Sequence, residues 1–275
     1  MIRATLLAFI FWSVATSAWA QAQPAPATAA AQTVTPVAKK STPKTKPARM
    51  PAPTENGPCG LGVIVAVGEE FEVQRIGIAS VERKDIPISN WGLGDLVFAR
   101  VRAATAPGIA VRRIHYSEAA FPVREAQKGL LFRDMKAELI DRMRQITSGS
   151  NCQRYVLVGR SISPFSSSGQ SVSGVGIVKW YNPLRNQPYL YALSFIRVFD
   201  GRDLTVIRQS SAMDEYQPLL SRILVGTLIL GPHRELNEAS FPSIPTEAVA
   251  NPAFRDGVRA MLRASLDKTL PAMLR

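Results

Sequence analysis

Cysteine and histidine are scarce in this chain, with two of each among 275 residues. Cys59 and Cys152 lie far apart, and His115 and His233 are remote from both, so no zinc-ligand spacing exists and no metal site is expected. Long apolar runs are also missing past the amino terminus. The longest, Leu219–Leu230, is interrupted by Ser221-Arg222 and is too short to cross a bilayer as a helix. A dinucleotide loop is excluded on similar grounds. Gly174-Val-Gly176 lacks a third glycine and sits inside a strand pattern, and Gly60-Leu-Gly62 precedes a strand where a helix would be needed.

The first twenty residues carry the strongest positive signal. Arg3 is followed by the apolar stretch Leu6-Leu7-Ala8-Phe9-Ile10-Phe11-Trp12, and Ala18-Trp19-Ala20 has the small-x-small spacing of a signal-peptidase site. This pattern predicts a secretory signal at 1–20, cleaved after Ala20, and a mature chain that is periplasmic or secreted. Export removes ATP and NAD(P)H as cofactors, and none is expected. It also makes a Cys59–Cys152 disulfide the default state of the thiols. A loop of that length gives roughly 4–5 kcal/mol in chain-entropy models. With no cysteine beside the cleavage site, no amino-terminal lipid anchor is expected.

Residues 21–57 contain seven prolines and no aromatic residue. Such a segment cannot bury enough surface to offset its ordering entropy, so it reads as a disordered Pro/Ala/Lys-rich tether. Fully extended as polyproline II its reach is on the order of 110 Å. The formal charge is +12, of which 58–275 keeps +7. The excess favours anionic surfaces such as lipid headgroups or acidic glycans. Nucleic acid is not expected, because aromatics do not interleave with the charges.

Residues 58–275 read as one globular α/β (α+β) domain. Leu61–Val67 and Phe71–Ile78, joined at Gly68-Glu69-Glu70, predict a β-hairpin in which Phe71 and Val73 alternate with Glu72 and Gln74. After a loop broken by Pro87, Leu93, Leu96, Val97 and Val101 form a helix face that stops before Pro107-Gly108. Ile109–His115 reads as a strand, and Leu131, Met135, Leu139, Met143 and Ile146 as a helix stripe. A strand at Tyr155–Gly159, a Ser/Gly loop at Ser161–Gly169 and a strand at Val172–Trp180 follow, with a bulge or close approach at Gly174 and Gly176. Tyr189–Phe199 and Leu204–Gln209 form a second hairpin around Asp200-Gly201-Arg202-Asp203. Leu219–Leu230 fits a strand or a helix equally. Asn251, Pro252 and the stripe Phe254, Val258, Leu262, Leu266, Leu270 predict a carboxy-terminal helix. The sum is a mixed sheet with hairpins and helices packed on it.

The run Cys152-Gln-Arg-Tyr155-Val-Leu-Val-Gly159, followed by Leu193-Ser-Phe-Ile-Arg-Val198-Phe-Asp200-Gly-Arg, resembles a periplasmic α/β domain. That domain is shared by the Tol-system translocation protein and the curli-secretion lipoproteins. The resemblance spans roughly residues 60–210 and implies a non-catalytic module that binds other envelope components. Gly62 to Gly77 also looks like exported bacterial proteins of unknown function.

Three function classes follow. The first is a non-enzymatic envelope-associated binding or assembly protein, its partner an envelope protein or cell-wall component, with anionic lipid as a further contact. Arg255, Arg259 and Arg263, spaced i, i+4, i+8 on the last helix, would serve that contact with Arg112 and Arg113. The second is a secreted serine hydrolase using Ser161 or Ser171 with His115 or His233, although neither Gly-rich context completes Gly-x-Ser-x-Gly. The third is a polyanion binder driven by net charge. Asp200, Asp203, Asp214 and Glu215 are the carboxylates available to pair for glycoside hydrolysis, with turn chemistry the simpler reading of the first two.

Overall fold

Three stretches of this chain each run through one β-sheet and continue into a second. The computed structural model describes residues 57–77, 79–121, 134–165, 169–181, 186–212 and 229–275. The predicted signal and nearly all of the predicted tether lie outside them. In chain order the strands are β1 (Cys59–Ala66), β2 (Glu70–Ile76), β3 (Val81–Pro87), β4 (Val111–Arg113), β5 (Cys152–Arg160), β6 (Ile162–Phe165), β7 (Gln170–Ser173), β8 (Val175–Trp180), β9 (Pro188–Ala192), β10 (Ser194–Asp200), β11 (Val206–Ser211) and β12 (His233–Glu235). The helices are α1 (Leu93–Ala104), α2 (Met135–Thr147), α3 (Glu247–Ala250) and α4 (Pro252–Leu274).

Sheet A has the order β11-β10-β5-β1-β4, sheet B the order β12-β9-β8-β2-β3, and β6-β7 is a separate two-stranded hairpin. The mixed α/β single-domain class expected from sequence is the one observed, with two main sheets in place of one. The chain crosses between them at Gly68, at Arg160–Gly174 and at Leu193. The last two of these crossings are tied together where Ser161 N–H donates to Leu193 O (3.3 Å), Gly174 N–H to Ser161 O (3.0 Å) and Leu193 N–H to Gly174 O (2.7 Å). Gly174 holds φ +63°, a backbone region that a side chain disfavours. The bulge expected at this glycine is a change of sheet.

The first predicted hairpin is corrected by this topology. Strands do form on either side of the turn, but β1 pairs in parallel with β4 and β5 while β2 pairs with β3 and β8. Periodicity reveals a strand and its buried side, not its neighbour. The continuous strand expected at Tyr189–Phe199 breaks at Leu193 in the same manner. Part of the expected Ser/Gly loop is strand β6. The second hairpin stands: β10 and β11 pair antiparallel around the Asp200 turn.

The main core lies between the inner faces of both sheets and the helices α1 and α4. Leu61, Val63, Val156, Val158, Ile196 and Val198 come from sheet A, and Phe71, Val73, Val175, Ile177 and Leu190 from sheet B. Phe71 sits 5.1 Å from the Trp91 ring and 6.2 Å from that of Phe254. The stripe read from sequence, Phe254, Val258, Leu262, Leu266 and Leu270, is buried on α4. Each such side chain contributes roughly 1.5–3 kcal/mol on burial. Asn251 caps the helix by accepting the Ala253 N–H (2.9 Å). On the outer face of sheet A, α2 buries Met143 beside Cys59, Cys152, Tyr155 and Leu157. Asp134 caps it, accepting the N–H groups of Lys136 and Ala137. Leu131, expected on its stripe, and most of Leu219–Leu230 lie outside the described residues. Among the described residues no helix is long and apolar enough to cross a membrane.

Candidate functional site

The densest buried polar arrangement lies on the outer face of sheet B, at positions that alternation assigns to solvent. Glu72 and Gln74 alternate with Phe71 and Val73 on β2, yet both are buried. The reason is the β6-β7 hairpin, which lies over this face and buries Phe165 and Val172 against Ile76, Val178, Tyr189 and Tyr191. Register sets one row across the sheet as Asp85, Glu72, Gly176, Tyr191 and His233. Gly176 leaves room for the tyrosine: a Cβ there would stand 2.4 Å from both the Tyr191 hydroxyl and the Glu72 carbonyl. Burial first, and then the negative charge of Glu72, push the Tyr191 pKa well above its ordinary 10.0.

Arg83 on β3 completes the network. Its Nε lies 3.3 Å from Glu72 Oε1, and its Nη2 donates to the carbonyl of Ser171 on β7 (2.6 Å). The Gln74 amide orients so that its nitrogen donates to Glu72 Oε1 and its oxygen accepts from Arg83 Nη2, each at 3.0 Å. Chemically this is a strap, in which one guanidinium neutralises a buried carboxylate and pins the covering hairpin. Sequence reasoning missed Glu72, Gln74, Arg83 and Tyr191 as a group. For Glu72 and Gln74 the signal was a polar residue at every second position of β2, uninformative until the hairpin above it was known.

The residues considered for hydrolysis do not converge. Ser161 stands at the sheet crossing, and Ser171 lends its carbonyl to Arg83. His115 is exposed beyond the end of β4, on the edge of sheet A. The His233 ring nitrogen Nδ1 lies 2.8 Å from the Gly231 carbonyl oxygen. Among the described residues no hydrogen bond joins either serine to either histidine. Asp200 accepts the Arg202 N–H (2.8 Å) and Asp203 the Thr205 N–H (2.9 Å), as turn carboxylates do. The Thr205 bond holds the Asp203 carboxyl below its usual pKa. Asp214 and Glu215 lie outside the described residues.

The five arginines proposed for anionic contact are employed differently from one another. Arg259 donates to the carbonyls of Trp91 and Gly92, bracing the start of α1 against α4. Arg113 pairs with Asp95 of α1 (2.6 Å) and lies over the Phe98 ring. Arg112 donates to Gly57 O (2.7 Å), and Arg255 pairs with Asp256 (3.0 Å). Arg263 is exposed on α4. The expected row of like charge is therefore split, because carbonyls at the start of α1 hold Arg259 and the adjacent Asp256 pairs with Arg255.

Cys59 and Cys152 form the expected disulfide, with 4.4 Å between their Cα atoms, at in-register positions where β1 and β5 begin. Both residues are buried.

No protein-family model matches the chain, and no curated protein matches it. Among solved structures, the chain is similar to protein XCC0632 from Xanthomonas campestris, of family DUF330. That comparison gives a TM-score of 0.33 and 14% identity, covering 80% of this chain and 89% of the other. It is also similar to lipoprotein GNA1162 from Neisseria meningitidis, with a TM-score of 0.24 and 13% identity, covering 60% of this chain and 93% of that one. Neither carries a Tol-system or curli-secretion name. Likenesses at this level bring no activity to the chain.

Proposed function

We propose that this chain is an exported, envelope-associated protein that works by binding and not by catalysis. The observation that carries the reading is the buried Cys59–Cys152 disulfide, a bond that persists in oxidising compartments. The signal-like pattern of residues 1–20 and the basic, proline-rich segment that follows support it from sequence. In this reading the signal is removed after Ala20, residues 21–57 act as a tether, and the folded part engages an envelope protein or a cell-wall component. Binding is favoured over hydrolysis because the His233 ring nitrogen lies against the Gly231 carbonyl and, among the described residues, no hydrogen bond joins Ser161 or Ser171 to His115 or His233 as a nucleophile–base pair requires.

The test is crosslinking in living cells of the native host, with the full chain and with a form lacking residues 21–57, followed by fractionation. The expected result is one defined envelope component crosslinked to the folded part in both forms. Recovery of the chain in the cytosol, or no envelope component with either form, contradicts the reading.

A further inference from the structure

Among the described residues, the partly buried cations nearly all have a visible employment. Arg75, Arg83, Arg100, Arg113 and Arg160 face carboxylates. Arg112, Arg208 and Arg259 donate to main-chain carbonyls. Arg197, on β10, is different. Among the described residues it is the one partly buried cation with neither kind of partner. Burial alone lowers its pKa from the ordinary arginine value, because lost hydration is offset by no counter-charge. A fold that holds a cation in this condition bears a cost that a bound anion would relieve.

The surroundings of Arg197 are arranged for such a ligand. Its guanidinium carbon lies 4.9 Å from the centre of the Phe195 ring. That ring occupies the gap left by Gly159, where a Cβ would approach Phe195 Cζ to 2.5 Å. The cation–π contact with the ring holds the guanidinium beside it while the group keeps its N–H donors. Register sets Gln209 directly opposite Arg197, and Ser211 directly opposite Phe195. Residues opposite one another in an antiparallel pair share a face, with Cβ atoms about 4.5–5.5 Å apart. Gln209 and Ser211 are both exposed. A guanidinium, a carboxamide and a hydroxyl thus border one patch on the outer face of sheet A.

We propose that this patch binds an oxyanion, a carboxylate or phosphate group, which Arg197 holds in its planar fork while Gln209 and Ser211 supply neutral donors. Fork geometry matches two oxygens of such a group, and the Phe195 cation–π contact reduces the ordering cost of binding. The site stands on the β10–β11 geometry and is independent of the export reading.

Nuclear magnetic resonance of the 15N-labelled protein tests the proposal. Separate titrations use inorganic phosphate, acetate, and phosphatidylcholine vesicles with and without phosphatidic acid, all at constant ionic strength. The expected result is a saturable shift of the Arg197 Nε–H, Gln209 and Ser211 signals. Arg197→Gln weakens it about tenfold or more, as loss of a charge-assisted hydrogen bond requires. Gln209→Ala weakens it less, and this second variant reports on the site if the first fails to fold. Saturation by the small anions assigns a soluble ligand, whereas a response only to phosphatidic acid vesicles assigns a headgroup. Shifts that never saturate, that survive Arg197→Gln, or that are equally strong at exposed Arg263 overturn the proposal.

Discussion

The two sheets close their outer faces by opposite means. On sheet A a covalent bridge joins the heads of β1 and β5, and the helix above it, α2, buries only Met143 and Thr147 fully. On sheet B the cover is the β6-β7 hairpin, held by Phe165, Val172 and the Arg83 strap across Glu72 and Ser171. The contrast teaches what each kind of closure demands. A disulfide tolerates a lightly attached helix, since the crosslink acts largely through the unfolded chain. A non-covalent cover over polar side chains requires every buried charge to be matched in place.

The contrast is broken most forcefully at the disulfide. Cys59→Ala with Cys152→Ala is expected to lower stability by roughly 4 kcal/mol, read as a fall in the urea midpoint. The oxidised protein in reducing agent should approach the same midpoint once its bridge opens. An unchanged midpoint would show that sheet A does not depend on its crosslink.

The strap comes next. Arg83→Ala leaves Glu72 buried beside Tyr191 without its counter-charge, and about 3 kcal/mol should be lost. Gly176→Ala attacks the same place by crowding and should cost about 1–3 kcal/mol. Hydrogen exchange should rise in β6 and β7 of the Arg83 variant before it rises in β5 or β10. Uniform loss of protection would contradict a strap that acts locally.

Tyr191 distinguishes the faces by pH. Its pKa is raised in the folded protein, so the unfolded chain releases this proton first, near the ordinary 10.0. The stability it contributes is complete below that pH and falls as pH rises towards the folded-state pKa, by about 1.4 kcal/mol per pH unit. Tyr191→Phe should flatten that alkaline decline in urea titrations. An identical decline in the variant would show that the hydroxyl is not shielded.

The smallest expected effect separates two arginines of one helix. Arg259→Ala removes the bonds to Trp91 and Gly92 and should cost about 1 kcal/mol, whereas Arg263→Ala should change thermal unfolding little. Equal losses would restore the uniform charged row that the sequence spacing suggests.

Much of α4 was legible in the sequence, because Asn251, Pro252 and a five-residue stripe each point to the same helix. The β10–β11 hairpin was legible for a similar reason, since Asp200 and Asp203 serve the turn locally. Pairing was not legible. Gly68-Glu69-Glu70 looks like the tip of a hairpin, yet the strands on either side enter different sheets. Strand β3 was concealed by Glu82, Arg83, Lys84 and Asp85, the charges that an exposed sheet edge carries to discourage further pairing. The burial of Glu72 and Gln74 depends on a hairpin formed about ninety residues later, which no local pattern reports. Arg197 was hidden for the converse reason: one arginine in an alternating strand is ordinary until its neighbours show no acid.

The central claim is that the functional form is exported and oxidised. Intact-mass and amino-terminal analysis of the natively expressed protein tests it most directly. The account predicts a chain that begins at Gln21 and shows no free thiol without reduction. A cytosolic chain that keeps the residues before Gln21 and has Cys59 and Cys152 both open to alkylation would contradict it.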